Sequence, residues 1–405
     1  MADPKDDILR LDTLIDFVAE SIHAASEGDI VETLRENGKS PDRVAADVRS
    51  LIAGTVKKQR RKRLDVARQA YERINQWVTT LVPAAHIPKD RLTMTQRIAQ
   101  LLGETETSPS LTLAFRKVTG LSDDDLSGML EDFSVLGMTN TQGAPIWTSR
   151  FSSPEELLNE LGIDEPQDID VESIAYYCGA VVRYHHLDHC AARIIGTNER
   201  AIISVDPTSS RGRQRFSIAH ELGHWMLHRG KVAYACKEDD FSNPWDHKQD
   251  SESRANQFAA ELLMPRFIFK QAAANREMTF RTVEELAEMF QTSMTATALR
   301  LVQFGSFPAM VICYGREGRR WFARGHDIPD TIWPHKELNH ETVAFGVLFG
   351  NRRQARPLPS QGNKWFSHRN AYRCNVVEDS IKVSEDCILI LVWWKDKTQL
   401  AELAD

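Results

Sequence analysis

His220, Glu221 and His224 stand together in HELGH, inside the stretch RFSIAHELGHWMLHRG. Four residues are about one helical turn, so both imidazoles project from one face and can grip a single metal ion. Glu221 adjoins the first of them, where a carboxylate can act as general base toward a water held at that metal. Phe216, Ala219, Leu222, Met226 and Leu227 supply the apolar contacts of a helix, and Gly230 is its stop signal. So short a motif also arises by chance. The alternative is a buried amphipathic helix whose histidines are satisfied by hydrogen bonds.

A third ligand changes the balance, because catalytic zinc usually takes three protein ligands and keeps one position open. Downstream lies DSESRANQFAAELLMP, residues 250–265. Ala255, Phe258, Ala259, Leu262 and Leu263 fall at i, i+3, i+4, i+7 and i+8 and make one apolar helix face. Glu252 and Asn256 continue that face toward the helix start, one turn apart. Glu252 can therefore meet the metal while Asn256 orients a ligand histidine. Pro265 ends the helix. Two imidazoles and a carboxylate suit Zn2+, with Mn2+ as a substitute in vitro.

HELGHxxLH followed by ExxxNxFAAELLMP resembles the ImmA/IrrE family of bacterial zinc-dependent endopeptidases. DVESIAYYCGAVVRYHHLD, AIISVD and RQRFSIAHELGH fit the family's lead-in, so the resemblance covers about 165–305. It implies an α+β fold with a thermolysin-like, gluzincin-type core. His220, His224 and Glu252 would be ligands and Glu221 the base. It also implies a substrate class, helix-turn-helix repressors, cut to derepress phage, mobile-element, defence or stress genes. Arg254 departs from the pattern, since many members carry an acid there; as a non-ligand position it alters local charge and leaves the ligand set intact. The competing reading is a non-catalytic transcription-linked regulator or antitoxin-like binder that retains the metal site.

Other residues are candidates for transition-state or regulatory roles. His228 lies one turn beyond His224, but a helix passing a metal rarely delivers three successive turns to it. His228, Tyr234 and His247 are alternative partners for the scissile carbonyl, and the sequence does not choose among them. Cys190, after the histidines of HHLDHC, is a candidate removable plug on the open zinc position, against the ordinary reading of a packed thiol. Cys236 is a weaker candidate for that role. His185, His186 and His189 read as surface or packing residues.

The elements that must position these groups follow from the wider pattern. The chain has 405 residues, 42% hydrophobic and 26% charged, with a net charge of −7. That balance excludes a disordered or fibrous chain and a protein built mainly to coat nucleic acid. The N-terminus lacks the layout of a signal peptide and no apolar run is long enough for a membrane span. Six scattered cysteines fit a reducing cytoplasm. Residues 1–145 read as a helical N-terminal region of unknown role, with further helices around 93–103 and 122–135. Within it, Lys57–Arg63 packs six bases into seven residues. A solvated helix face is favoured there over a nucleic-acid contact. Residues 146–305 are the expected peptidase domain, with short strands in 181–187, 192–197 and 201–206. Residues 282–303 resemble a helix-turn-helix without a basic footprint and read as packing helices. Residues 306–405 are the expected small β-rich or α/β C-terminal domain; the family resemblance implies a sensor, GAF-like module there.

Overall fold

The computed structural model describes residues 26–81, 87–103, 121–139, 151, 153–188, 190–196, 199–227, 234–235 and 251–403. The chain divides into two compact units, the first ending at Arg61 and the second running Lys62–Asp405. The sequence boundaries at 145/146 and 305/306 both fall inside the second unit. Helix α1 (Glu27–Glu36) belongs to the first unit and is capped by the Ser26 side chain, which accepts from the Asp29 N–H. Helix α2 (Pro41–Leu81) begins there and continues into the second unit. In its second-unit part Leu64, Ala67 and Tyr71 are buried at helical spacing, and the Tyr71 hydroxyl donates to the Val182 carbonyl at 3.3 Å.

The second unit is α+β. Helices α3 (Arg91–Gly103), α4 (Asp123–Thr139), α5 (Pro154–Glu160) and α6 (Val171–Tyr177) lead to strands β1 (Ala180–Tyr184), β2 (Ala192–Gly196) and β3 (Ala201–Val205). Helix α7 (Arg211–Leu227), the short strand β4 (Tyr234–Ala235) and helix α8 (Ser251–Leu263) follow. These strands form one sheet, ordered β1-β3-β2-β4, in which β1 runs parallel to β3 and the other pairs are antiparallel.

The sheet is covered on both faces, which is why its strands read as almost unbroken apolar runs. On one face lies α7. A Cβ on Gly196 would stand 3.0 Å from the Trp225 indole nitrogen, so the missing side chain lets that ring lie close against β2. On the other face lies α4. The polar residues Arg183, Arg193 and Ser204 share one cross-strand row, and all three reach Asp132 of α4. Arg183 donates to Asp132 at 2.6 Å and to Glu131 at 3.0 Å; Arg193 donates at 2.8 and 3.1 Å, and the Ser204 hydroxyl at 2.7 Å. Asp132 is wholly buried, so these partners replace the water its charge has lost.

Helices α9 (Arg266–Ala273), α10 (Phe280–Phe290) and α11 (Met294–Phe304) complete this core. The helix-turn-helix-like segment is α10 and α11. Gln291 closes α10 in the left-handed conformation at φ 54, and the Ser293 side chain caps α11. Val283, Leu286, Phe290, Ala298, Leu299 and Leu301 are buried, so the pair packs into the core.

A second sheet follows, from β5 (Ala309–Gly315), β6 (Gly318–Arg324), β7 (Leu358–Gln361), β8 (Asn375–Ser384) and β9 (Cys387–Trp393), with the short helix α12 (Val343–Leu348). All its pairs are antiparallel, in the order β6-β5-β9-β8-β7. Residues alternate between its faces. Met310, Ile312, Ile388, Ile390 and Val392 pack with Trp365, Phe366 and Trp394 in a core of their own, while Val311, Cys313, Leu389 and Leu391 join the larger core. Buried Asp379 of β8 accepts the Phe280 N–H at 2.7 Å and so ties this sheet to the start of α10. Among the described residues no helix is long and apolar enough to cross a membrane.

Candidate metal centre

The HELGH residues lie in the second half of α7, where Ile218, Ala219, Leu222 and Trp225 anchor the helix in the core. His220, Glu221 and His224 are wholly buried. Helix α8 packs directly against this segment. A Cβ on Gly223 would stand 3.1 Å from both Cβ and Cδ1 of Phe258, so the missing side chain sets how closely the two helices approach. That approach brings Glu252, in the first turn of α8, to the paired histidines.

Three donor atoms converge there. His220 Nε2 and His224 Nε2 are 3.0 Å apart, His224 Nε2 lies 3.2 Å from Glu252 Oε2, and His220 Nε2 lies 3.4 Å from the same oxygen. Among the described residues these three form the cluster able to hold a metal ion. Tetrahedral zinc with bonds of about 2.0–2.1 Å separates neighbouring donors by about 3.3–3.4 Å, close to this triangle. The donor set of two imidazoles and one carboxylate also suits a borderline divalent cation. The residues present therefore fit a metal.

Electrostatics agree with the geometry. Hydrogen bonds from His220 and His224 hold the Glu252 carboxyl far below the usual carboxylate range, against the opposing effect of burial. Burial pushes the His220 imidazole below its ordinary value, keeping it in the neutral form a metal requires; Glu252 and the Asn256 amide act in the opposite sense. Asn256 is buried one turn after Glu252 on α8.

Helix α8 and the motif spacing thus bring together His220, His224 and Glu252, with Asn256 beside them. Cys190 precedes β2 and its sulfur is outside the three-donor cluster. Burial pushes its thiol up to about 12; Arg193 opposes this, and the charges of Asp125, Glu221 and Asp206 add to it. His185 belongs to the α4 network, its Nε2 lying 2.9 Å from Arg193, with its pKa lowered by burial first and Arg193 second. His186 pairs with Asp188 and Asp206. His189, His228, Cys236 and His247 lie outside the described residues, as does the side chain of Tyr234. In the basic run, Arg63 is ion-paired with Glu160 and Lys57 and Arg61 are half-buried, whereas Lys58, Arg60 and Lys62 are exposed.

Comparison with known proteins bears on one segment of the chain. Residues 175–302 match the IrrE N-terminal-like domain of Peptidase M78. Over residues 175–302 the chain carries an ImmA/IrrE-family domain. The matched IrrE-like segment runs from α6 to α11 and contains α7, α8, the three clustered residues and Asn256. No curated protein matches the chain. A solved structure described as a Mycobacterium tuberculosis transcriptional regulator is similar at 13% identity over 61% of this chain and 76% of that one, with a TM-score of 0.42; a likeness that low bears on no functional argument.

Proposed function

We propose that this protein is a metal-dependent endopeptidase whose site is His220, His224 and Glu252 as ligands and Glu221 as general base. The observation that carries the reading is the convergence of three donor atoms within 3.0–3.4 Å of one another, with buried Glu221 next to the first ligand. The arrangement of two histidines on one helix and a glutamate on the next supports a thermolysin-like core. We take the metal to be zinc. When bound, it supplies Lewis-acid polarisation of the scissile carbonyl and acidifies water. Glu221 takes the proton of the attacking water and delivers it to the leaving amine. Asn256 holds the His220 ring in its working orientation. The substrate class that the match over residues 175–302 supports is a helix-turn-helix repressor, cut in the cytoplasm to release phage, mobile-element, defence or stress genes. The C-terminal sheet would then serve as a sensor module, and a nucleic-acid contact through Lys57–Arg63 is not favoured.

The test is Glu221→Gln. The amide cannot accept the water proton, and a positioned acid–base group contributes roughly 10²–10⁴-fold. The variant is expected to keep its metal and its fold while cleavage of a repressor from the same locus falls by that factor. Cleavage at the wild-type rate would remove Glu221 from the mechanism. Absence of cleavage by metal-loaded wild type across such repressors would favour the non-catalytic regulator instead.

A further inference from the structure

The C-terminal sheet carries a pair of thiols that the metal site does not use. Cys313 on β5 and Cys387 on β9 are both buried, and their sulfurs are 3.0 Å apart. The strand register explains the contact. Cys387 lies opposite Gly315, and Cys313 lies opposite Leu389, so the two cysteines are diagonal neighbours on one face. Both lie at the end of the sheet where two hairpins turn. Cys387 is the first residue of β9 and pairs with Ser384 across the Glu385-Asp386 turn, and β5 turns into β6 just after Gly315. Gly315 has a specific use here. A Cβ on it would come within 2.5 Å of the Arg320 Nε, so the missing side chain lets the Arg320 guanidinium lie across the strand opposite Cys387.

We propose that Cys313 and Cys387 are a redox-active dithiol that a small peroxide converts to a disulfide bridging β5 and β9, and that a dithiol reductant reverses. The charge arrangement assigns the roles. The hydrogen bond from Cys313 first, and then the Arg320 charge, bring the Cys387 thiol down to about 7 against the effect of burial, whereas Cys313 is pushed well above the ordinary thiol range. Cys387, whose strand partner Gly315 leaves room for the Arg320 guanidinium, is the attacking thiol, and Cys313, 3.0 Å away, is the resolving thiol.

In the first step the Cys387 sulfur attacks one peroxide oxygen. An S–O bond forms, the O–O bond breaks, and the departing oxygen takes up a proton and leaves as water or an alcohol. In the second step the Cys313 sulfur attacks the Cys387 sulfenic sulfur. The S–S bond forms, the S–O bond breaks, and the hydroxide leaves with the Cys313 proton as water. Two thiols are oxidised and one peroxide is reduced. The sulfurs need to close from 3.0 Å to about 2.05 Å, a shift within the reach of side-chain rotation and a small strand adjustment.

The experiment uses the full chain and hydrogen peroxide alone. After exposure to a few equivalents, remaining thiols are alkylated under denaturing conditions and the protein is digested with trypsin. The expected product is LVQFGSFPAMVICYGR joined to VSEDCILILVWWK, lighter by two hydrogens than their sum and separated by dithiothreitol. In Cys313→Ser the cross-link is lost and Cys387 stops at a sulfenic acid that dimedone traps. In Arg320→Gln, Cys387 is oxidised several-fold more slowly at pH 7. Recovery of both wild-type peptides in alkylated form, or of Cys387 oxidised to sulfinic acid with Cys313 still a thiol, would overturn the proposal. Neither result depends on the fold of a variant or on peptidase activity.

Discussion

The sharpest test of the metal centre is a single methyl group placed away from any ligand. Gly223→Ala puts a Cβ 3.1 Å from Phe258 Cβ and Cδ1, whereas carbon atoms in contact prefer about 3.5–4.0 Å. Both neighbouring atoms are close to the backbone of α8, so rotation of the Phe258 ring relieves only one of them. Helix α8 must retreat from α7 by about half an ångström, carrying Glu252 with it. Metal–ligand distances tolerate only about ±0.2 Å, so the shift takes the carboxylate outside the working range while both histidines stay on α7. Affinity for zinc is expected to fall at least roughly tenfold, the low end of what disturbing a ligand's support costs. The net change in stability should lie between about 0 and 2 kcal/mol. Overpacking costs about 1–3 kcal/mol, and replacing a mid-helix glycine by alanine returns about 1 kcal/mol. The assay is competition for zinc against a chromophoric chelator, beside thermal melting of the apo-protein, with the His220→Ala, His224→Ala double variant as the zero-binding reference. A folded Gly223→Ala protein with wild-type zinc affinity would refute the argument that this close approach sets the ligand geometry.

Three further outcomes are expected. Asp132→Ala removes the carboxylate shared by Arg183, Arg193 and Ser204; because buried Arg193 loses both of its close carboxylate contacts and keeps only the Asp125 carboxylate, 3.8 Å away, urea unfolding should show a loss of about 3 kcal/mol, and a loss below about 1 kcal/mol would contradict the account of that network. Burial raises the Asp379 carboxyl from 3.8 to about 6, against the opposing Phe280 and Ser380 N–H groups, so its contribution to stability is fully present below about pH 4 and is lost as pH rises through 6. Wild type should therefore gain up to roughly 3 kcal/mol relative to Asp379→Asn as pH falls from 7 to 4, and a pH-independent difference in denaturation would dismiss the shift. Neutralising Lys58, Arg60 and Lys62, the exposed bases of the run, should leave the melting temperature within a degree or two; salt-sensitive DNA binding by wild type that these changes abolish would overturn the solvated-face reading.

The candidate site was legible because its signals are local. The HExxH spacing and the apolar face of 255–263 each lie within one helix, and the helix period alone puts His220 beside His224 and Glu252 at the entry to α8. The strands of the first sheet were legible as short apolar runs for the same reason. The cover on their far face was not. Asp132 meets its partners across sequence separations of 51 to 72 residues, and nothing around it announces the contact. A usable signal existed in the strands themselves. Arg183, Arg193 and Ser204 interrupt runs that are otherwise apolar, and a cation inside such a run demands a buried acid from elsewhere. The end of the basic run was legible too, since Leu64, Ala67 and Tyr71 follow it at core spacing and turn Arg63 toward Glu160. The Cys313–Cys387 contact depends on strand register, which no pattern in the two separate segments specifies.

The order in which α4 and the first sheet are synthesised gives the buried carboxylate a kinetic role. Asp132 precedes Ser204 by 72 residues, so at about 5–20 residues per second it leaves the ribosome roughly 4–14 s before the last strand it anchors. During that interval its charge is solvated by water and costs nothing. Each arginine-bearing strand, as it emerges, finds its counter-charge already made and displaces water from it. A polypeptide started at residue 175, where the family match begins, would reverse this situation. Its strands would emerge with Arg183 and Arg193 and no acid ahead of them, and one face of the sheet would stay open to other chains. The segment that identifies the family is therefore expected to aggregate when expressed by itself, and co-expression with a separate piece carrying residues 121–139 is expected to return it to solution.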